Sequence, residues 1–162
     1  MQGTIVGRPV AELDTPALLV DVDAMDRNIA HIAGTLGEAG VGWRPHAKGH
    51  KTSAIAHRQL AAGAIGITCA KLGEAEVFAA NGVRDILVAN QIVGPIKTRR
   101  LAALIAATGA DVMVAVDNPA NVAELEGAAA EFGVRPRVVV EVDSGMGITW
   151  QSPRLMARVK AC

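Results

Sequence analysis

The stretch AIGITCAKLGEAEVFAANGVRDILVANQIV, residues 64–93, decides the fold class. Its two short apolar runs, 64–70 and 85–93, have the length and the β-branched content of buried strands. Between them, residues 71–82 form an Ala-rich segment of helical period that stops at Asn81-Gly82. A strand, a helix and a second strand in this order predict a parallel pair joined by a crossover helix.

The same alternation continues in both directions along the chain. Toward the N-terminus the predicted elements are a strand at 15–23, a helix at 24–40, a strand at 41–47 and a helix at 51–63. Toward the C-terminus they are a helix at 95–108, a strand at 111–117, a helix at 118–133 and a strand at 135–143. Asn118 is the expected cap of its helix and Pro119 its first residue, whereas Thr52 or Ser53 caps the helix at 51–63.

These apolar strands, separated by helices, predict a parallel sheet covered by helices. The strand-helix unit recurs roughly every 20 to 25 residues, which is the spacing of a (β/α) barrel. A doubly wound sheet gives a similar pattern, and periodicity does not separate the two architectures. Five or six strands are predicted, whereas a closed barrel needs eight, so the count favours an incomplete barrel.

The amino-acid composition bears on which kinds of molecule the protein can bind. The chain is 51% hydrophobic, so it can bury a core, and its 16 basic residues balance its 16 acidic ones. A neutral chain with few aromatic residues does not attract nucleic acid or a membrane surface, and no apolar run approaches the ~20 residues of a membrane helix. Cys69 and Cys162 are too few for a disulfide framework, and no signal peptide pattern is present. We therefore expect a cytoplasmic protein without nucleic-acid or membrane partners.

The segment RPHAKGHK, residues 44–51, is the outstanding concentration of charge, since five of its eight residues can be cationic. It follows a predicted strand, where functional residues of both architectures collect. Two uses fit: holding a phosphate or carboxylate, or activating a lysine whose neutral amine attacks a carbonyl. Lys48 is the better candidate, because Lys51 already belongs to the next helix. A solvated loop is the remaining alternative.

Other strand-end residues leave alternatives open. Cys69 follows a buried strand and is interpreted as a core residue before a nucleophile. Lys71 and Glu74 fit either a pocket or the exposed first turn of a helix. Asn90 and Gln91 are candidates for lining the site, and Asp143 fits either a pocket or a turn. No metal site is predicted, because His46 and His50 have helical spacing in a segment that is not helical, and no carboxylate adjoins them.

Five segments in order carry a resemblance to a known family. They are DTPALLVDVDAMDRNI (14–29), RPHAKGHK (44–51), AAGAIGITCAKLGEAEVFAANGVRDILVANQIVGPIK (61–97), VAVDN (114–118) and VVEVDSGMG (139–147). The chain resembles the N-terminal half of the D-threonine aldolases, in the group with eukaryotic-type D-serine dehydratases and the alanine racemase-like barrel. That resemblance implies an enzyme dependent on pyridoxal phosphate (PLP), with a (β/α)8 barrel and a C-terminal β domain. The segment NQIVGPIK favours the aldolase over the dehydratase.

The resemblance also implies roles for residues. Lys48 matches the lysine that bonds covalently to PLP, and His46 and Arg44 match motif positions that line the pocket. We add Asn90 to the predicted cofactor-binding residues. The implied reaction is retro-aldol cleavage of a D-β-hydroxy amino acid to glycine and an aldehyde, with PLP as the electron sink. The segment 15–23 would join the C-terminal β domain, which leaves five parallel barrel strands, at 41–46, 65–69, 85–90, 112–116 and 137–142.

The predicted fold class is therefore α/β, a partial (β/α) TIM-type barrel with about five parallel strands plus an N-terminal strand. Residues 1–147 follow the family pattern, whereas 148–162 do not, since Ile148 stands where the family places an arginine. We interpret 148–162 as an unrelated tail from a frameshift near codon 147 or 148.

The remaining expectations concern what such a half barrel can do. The family's phosphate-binding loops, its later catalytic histidine and the ligands of its divalent metal are not in this sequence. We therefore expect little turnover. The alternatives are a non-catalytic barrel fragment that binds PLP weakly or not at all, and a D-serine dehydratase-like enzyme. A small single-domain PLP-binding barrel ranks lower because it needs a complete barrel. Association of two halves into a homo-oligomer is a further expectation, because open strand edges and bare apolar faces favour it.

Overall fold

The structure is a computed structural model, and it describes residues 6–142. Helices and strands alternate along this part of the chain. In chain order they are α1 (Val22–Glu38), α2 (Ser53–Ala61), β1 (Ile67–Cys69), α3 (Leu72–Ala80), β2 (Asp85–Gln91), α4 (Pro95–Thr108), β3 (Asp111–Val116), α5 (Pro119–Phe132) and β4 (Arg137–Val140). Single turns of 3₁₀ helix lie at Val10–Glu12 and Ala47–Gly49. Among these residues no helix has the length and hydropathy of a membrane span.

The order of the strands separates the two candidate architectures. The sheet is parallel and its order is β1-β2-β3-β4, which is the order in the chain. Crossovers between parallel strands are right-handed, so a sheet built in chain order carries all its helices on one face. Contacts between α3 and α4 and between α4 and α5 agree with one helical layer. A doubly wound sheet reverses its direction and covers both faces, so the chain forms part of a barrel.

The core lies between this sheet and the helical layer. Side chains at alternate strand positions point to the helices and are fully buried, among them Ile67, Ile86, Val88 and Val112. They pack against Leu72, Phe78 and Leu101 of the helices and connections. The other face of the sheet has no helix over it within residues 6–142. A shallow cavity of about 270 Å³ lies there, lined by Leu87, Ala89, Ala115, Val139, Val140 and Glu141.

Local sequence signals explain why the helices α4 and α5 begin and end where predicted. Proline is the first residue of each helix, where its missing N–H costs nothing. The Asn118 carboxamide accepts a hydrogen bond of 2.9 Å from the Ala120 N–H, which confirms the predicted cap. Gly109 and Gly133 follow the helices with φ of 64° and 65°, a left-handed conformation that glycine adopts without strain.

The predicted N-terminal strand at 15–23 is wrong for the described structure. Helix α1 already begins at Val22, and the residues before it form no strand. The apolar side chains of Leu18, Leu19 and Val20 are exposed, at 98%, 57% and 54%. A strand needs a neighbour for its backbone hydrogen bonds, and no segment within residues 6–142 pairs with this one.

The first predicted barrel strand, 41–46, is also shorter than expected. It runs beside β1, but its ladder with β1 is reduced to a single parallel bridge between His46 and Thr68. Carbonyl groups of Trp43 and Pro45 accept bonds of 2.8 Å from the N–H groups of Ile65 and Thr68. Pro45 has no N–H to return, which interrupts a regular ladder. The sheet therefore contains four strands and one bridged segment, where five strands were predicted.

Gly66, just before β1, lies where two neighbouring segments approach closely. A Cβ atom there would lie 2.6 Å from the carbonyl oxygen of Asp85 and would overlap the guanidinium of Arg44. The backbone oxygen cannot move without shifting β2. Only glycine leaves room for this arrangement.

We predict that Gly66→Ala lowers the free energy of unfolding by about 1 to 3 kcal/mol, the usual cost of forcing atoms into a packed site. Gly127→Ala is the control, because Gly127 lies in α5 with nothing within 4 Å of the added methyl. It should raise the stability by about 0.5 to 1 kcal/mol through helix propensity. Urea unfolding followed by circular dichroism measures both, and equal stability of Gly66→Ala and the parent chain would contradict the prediction.

Candidate active site

The lysine of the charged motif lies at the carboxyl end of the sheet. His46 bridges to β1, and the next residues, Ala47–Gly49, form one 3₁₀ turn that carries Lys48. Ala47 is fully buried and anchors the turn, whereas the side chains of His46 and Lys48 are exposed. The His46 Nδ1 accepts a bond of 3.2 Å from the backbone N–H of Lys48. Lys48 was predicted to follow a strand directly, and the structure has in place of that strand a segment joined to β1 by one bridge.

The environment of the His46 ring lowers its pKa. Burial lowers the pKa of His46 below its usual value, and the Lys48 ammonium lowers that pKa further. The Glu74 carboxylate and a backbone hydrogen bond to Thr68 oppose the shift without cancelling it. Because Nδ1 already accepts the Lys48 N–H, the single ring proton of neutral His46 lies on Nε2. In the neutral ring, Nε2–H is thus the group available for the hydrogen bond to the Thr68 backbone.

Glu74 is the acidic group of this edge. It lies in the first turn of α3, is only 8% exposed, and its Oε2 accepts a bond of 2.7 Å from the backbone N–H of Ala70. The positive end of the helix dipole favours a carboxylate at this position. Glu74 was left open between a pocket and the surface, and the structure buries it near His46.

Cys69 is a core residue, as interpreted from the sequence. It is the last residue of β1 and is fully buried. Burial raises the pKa of its thiol to about 12, and the nearby Glu74 carboxylate adds to the shift. A thiol in this environment is not a nucleophile at neutral pH.

The structure does not bring Asn90 and Lys48 to one cavity. The Asn90 amide donates to the Ala70 carbonyl at 3.3 Å and faces a cavity of about 340 Å³ between the first turns of α3 and α4. Lys71 and Lys97 also line that cavity, whereas His46 and Lys48 do not. Gln91, the neighbour of Asn90, donates from Nε2 to Glu141 Oε2 at 2.7 Å.

Arg44 also lies away from Lys48. Its Nη1 is 2.7 Å from Asp85 Oδ1, at the first residue of β2 and thus at the amino end of the sheet. The predicted role of Arg44 in lining the cofactor pocket therefore has no support in this geometry. In its place Arg44 joins a chain of ion pairs, because Asp85 also lies 3.4 Å from Arg137 Nη2, and Arg137 Nε bonds Asp111 at 2.6 Å.

The remaining members of the motif are structural. The His50 ring packs edge-to-face on Phe78, with centroids 6.5 Å apart, and its Nδ1 accepts the Thr52 N–H at 3.1 Å. Burial lowers the pKa of His50. Lys51 lies before α2, in a left-handed conformation with φ of 49°. Among residues 6–142, no three His, Cys, Asp or Glu side chains are grouped as a metal site.

Comparison with known proteins identifies the family of this chain. Residues 20–161 match the model of the alanine racemase N-terminal domain. The chain belongs to the alanine racemase N-terminal domain family. In this family the chain resembles proteins named for lyases of D-amino acids. It is 42% identical to D-threonine aldolase of an Arthrobacter species and 39% identical to 3-hydroxy-D-aspartate aldolase of Paracoccus denitrificans, over 87% of this chain in each case.

A solved structure supports the same assignment. The D-threonine aldolase of Filomicrobium marinum superposes with a TM-score of 0.86 at 40% identity, over 93% of this chain and 42% of that one. The chain thus spans about two fifths of the relatives that it matches, with 37% of the Arthrobacter protein and 36% of the Paracoccus protein covered. The residues 143–162, with Asp143 and the predicted tail from Ile148, lie outside the described structure.

Sequence reasoning missed Glu141 at this edge of the domain and left the burial of Glu74 undecided. The burial of Glu74 depends on the Ala70 N–H, which no local pattern announces. Glu141 lies on the same face as Arg137 and Val139, because side chains on one face of a strand recur every two residues. This spacing could have predicted that Glu141 lies on the face of the sheet that carries Gln91. The Gln91–Glu141 pair additionally depends on an irregularity in the pairing of β2 between Val88 and Gln91.

We predict that Cys69 resists alkylation in the folded protein. With a thiol pKa of about 12, only about one thiol in ten thousand is ionised at pH 8. In a Cys162→Ser background, iodoacetamide should label Cys69 slowly in buffer and rapidly in urea, as measured by mass spectrometry. Glu74→Gln removes a charge that raises the thiol pKa, so it should speed the labelling of folded protein. Equal rates in buffer and in urea would contradict the burial of Cys69.

Proposed function

We propose that this chain carries the reactive lysine of a PLP-dependent D-amino-acid lyase and that the enzyme cleaves D-β-hydroxy amino acids to glycine and an aldehyde. The observation that carries the proposal is the position of Lys48. Its amine lies in a tight turn at the carboxyl end of a barrel sheet, beside a neutral histidine. Functional groups of (β/α) barrels lie at this end.

The residues present fit the aldehyde end of PLP. Lys48 has an exposed primary amine, which is the group that bonds to an aldehyde, and Lys48 would hold the cofactor covalently. The His46 ring, whose Nδ1 accepts the Lys48 N–H, lies next to it. PLP, when bound, acts as an electron sink for a bond that breaks at the substrate α-carbon. Arg44 is committed to Asp85 and is not assigned to the cofactor.

The chain's own residues then have separate tasks. Lys48 supplies the amine and carries its proton to and from the α-amino nitrogen when a substrate replaces it. The 3₁₀ turn and the buried Ala47 orient that amine. The buried Glu74 fixes the junction of β1 and α3 through the Ala70 N–H and supplies a negative charge near His46.

The substrate class is inferred from the relatives. Their names specify D-threonine and 3-hydroxy-D-aspartate, both D-amino acids with a hydroxyl group on the β-carbon. A second candidate reaction is dehydration, because the chain is 39% identical over 155 residues to D-threo-3-hydroxyaspartate dehydratase of a Delftia species. The divalent metal implied by the family resemblance stays a prediction.

We predict that PLP labels Lys48 in the 162-residue chain. Incubation with PLP should give visible absorbance, and borohydride should then fix the cofactor on the peptide that contains Lys48, as read by mass spectrometry. Lys48→Arg should abolish the fixed label while keeping the positive charge. Lys51→Arg is the matched control and should leave the label in place. Labelling spread over many lysines, or none at all, would refute the proposal.

Substrate assays complete the test. With protein that has been incubated with PLP and not treated with borohydride, D-threonine should yield glycine if aldol cleavage is the reaction, and a 2-keto acid if dehydration is. L-Threonine is the control for the D configuration. Labelling at Lys48 without either product would favour the non-catalytic, PLP-binding fragment.

A further inference from the structure

We propose that Asp85 is a positioning residue for Lys48: through Arg44 it holds the segment 41–47 against β1, and Gly66 provides the passage for the Arg44 side chain. This inference rests on the proposed role of Lys48. It explains how the reactive turn is fixed although the segment that bears it is not a regular strand.

The first observation is the weak backbone attachment of the segment. Between residues 41 and 47, the backbone hydrogen bonds to β1 and the residues before it are the two from Ile65 and Thr68 to the carbonyls of Trp43 and Pro45. The Thr68 hydroxyl adds a long bond of 3.5 Å to the Arg44 carbonyl. Pro45 donates none, and the pairing to Thr68 is an isolated bridge. The two backbone bonds alone leave the register of the segment weakly determined.

The second observation is the reach of Arg44. Arg44 lies on the segment next to β1, whereas Asp85 begins β2, so the guanidinium crosses over β1 to make its bond of 2.7 Å. It crosses at Gly66, where any side chain would occupy the same space. The side chain of Arg44 is 15% exposed, and a pair so shielded from water is stronger than one on the open surface.

The third observation is that Asp85 is itself fixed. Arg137, the first residue of β4, lies near the same oxygen of Asp85 and also bonds Asp111, the first residue of β3. Two arginines and two aspartates thus alternate across the amino ends of the strands with no net charge. A change at Asp85 therefore removes the partner that ties the segment to β2 while Arg137 keeps Asp111.

The Arg44–Asp85 contact affects Lys48 because side chains alternate between the two faces of an extended segment. Arg44 and His46 are two residues apart, so they belong to the same face of the segment, and a slip of one residue would turn both to the other face. Holding Arg44 on Asp85 therefore fixes the face of His46, whose Nδ1 receives the Lys48 N–H. Asp85 acts on Lys48 through Arg44 and His46, without contact to the reacting atoms.

The test compares Asp85→Asn and Arg44→Gln with Asp26→Asn. The last variant breaks the Arg58–Asp26 pair, which is 2.6 Å long and about half exposed, and serves as the matched control. Hydrogen exchange is read at the N–H groups of Ile65 and Thr68, which face the segment, and of Val114 in the middle of β3. The second readout is the PLP concentration that gives half-maximal borohydride-fixed label on Lys48.

We expect Asp85→Asn and Arg44→Gln to speed exchange at Ile65 and Thr68 by about tenfold or more, with Val114 unchanged, because only the segment opens. The PLP concentration for half-maximal labelling should rise by about fivefold or more, since fewer molecules hold Lys48 in place. Arg44→Lys keeps the positive charge but loses the planar guanidinium, so both changes should be smaller than in Arg44→Gln. Asp26→Asn should leave both at the parent values.

The outcomes separate this inference from the proposed function. If the parent chain is labelled at Lys48 but Asp85→Asn behaves as Asp26→Asn does in both readouts, the positioning role is overturned. Faster exchange at Val114 as well would show general loosening and would also overturn it. If the parent chain is not labelled, the proposed function fails, and exchange at Ile65 and Thr68 then decides whether Asp85 holds the segment.

Discussion

Right-handed crossovers between parallel strands are the constraint on which the rest of this domain depends. Because β1 to β4 follow one another in the sheet as in the chain, each crossover deposits its helix on the same face. That face becomes the core, with Ile86 and Val88 against Phe78 and Leu101. The other face is left to side chains that would fill a barrel. The same topology sends every strand-to-helix turn to one edge, where Lys48 and Glu74 lie.

The two ends of the sheet differ in how they use charge. At the amino end, arginine and aspartate alternate in a chain of ion pairs that joins the segment 41–47, β2, β3 and β4. At the carboxyl end, Lys48 is exposed beside a neutral His46, and the carboxylate of Glu74 is turned inward to a backbone N–H. This division matches (β/α) barrels, in which the amino end serves stability and the carboxyl end serves chemistry.

Much of the fold was predictable because the signals are local. Proline at the first position and glycine after the last fixed α4 and the end of α5, and the apolar runs gave β2 and β3. The prediction of a strand at 15–23 was wrong because a β-branched pattern produces a strand only when a neighbouring strand accepts and donates its backbone hydrogen bonds. The predicted strand at 41–46 is incomplete in part because Pro45 has no backbone N–H to donate to β1.

The sequence singles out Lys48 but does not determine where the neighbouring side chains lie, for a related reason. A charged cluster after a strand is visible in one dimension, but the direction of each side chain depends on the pairing of strands far apart in sequence. Arg44 belongs to the same motif as Lys48, yet it turns to Asp85, 41 residues away. Gln91 reaches Glu141, 50 residues away, where the pairing of β2 shifts between Val88 and Gln91. Neither the reach of Arg44 nor that shift leaves a trace in composition or period.

The protonation of His46 limits what the described residues can do in the proposed reaction. Aldol cleavage requires a base for the proton of the β-hydroxyl group, whereas dehydration requires an acid that donates to the same oxygen. With Nδ1 already accepting the Lys48 N–H and the ring proton on Nε2, His46 can donate and cannot accept. The base of an aldolase must therefore be a group other than His46. The relatives that match this stretch are named for aldolases, a dehydratase and alanine racemases. Which of these reactions occurs would depend on the groups that contact the β-carbon of the substrate.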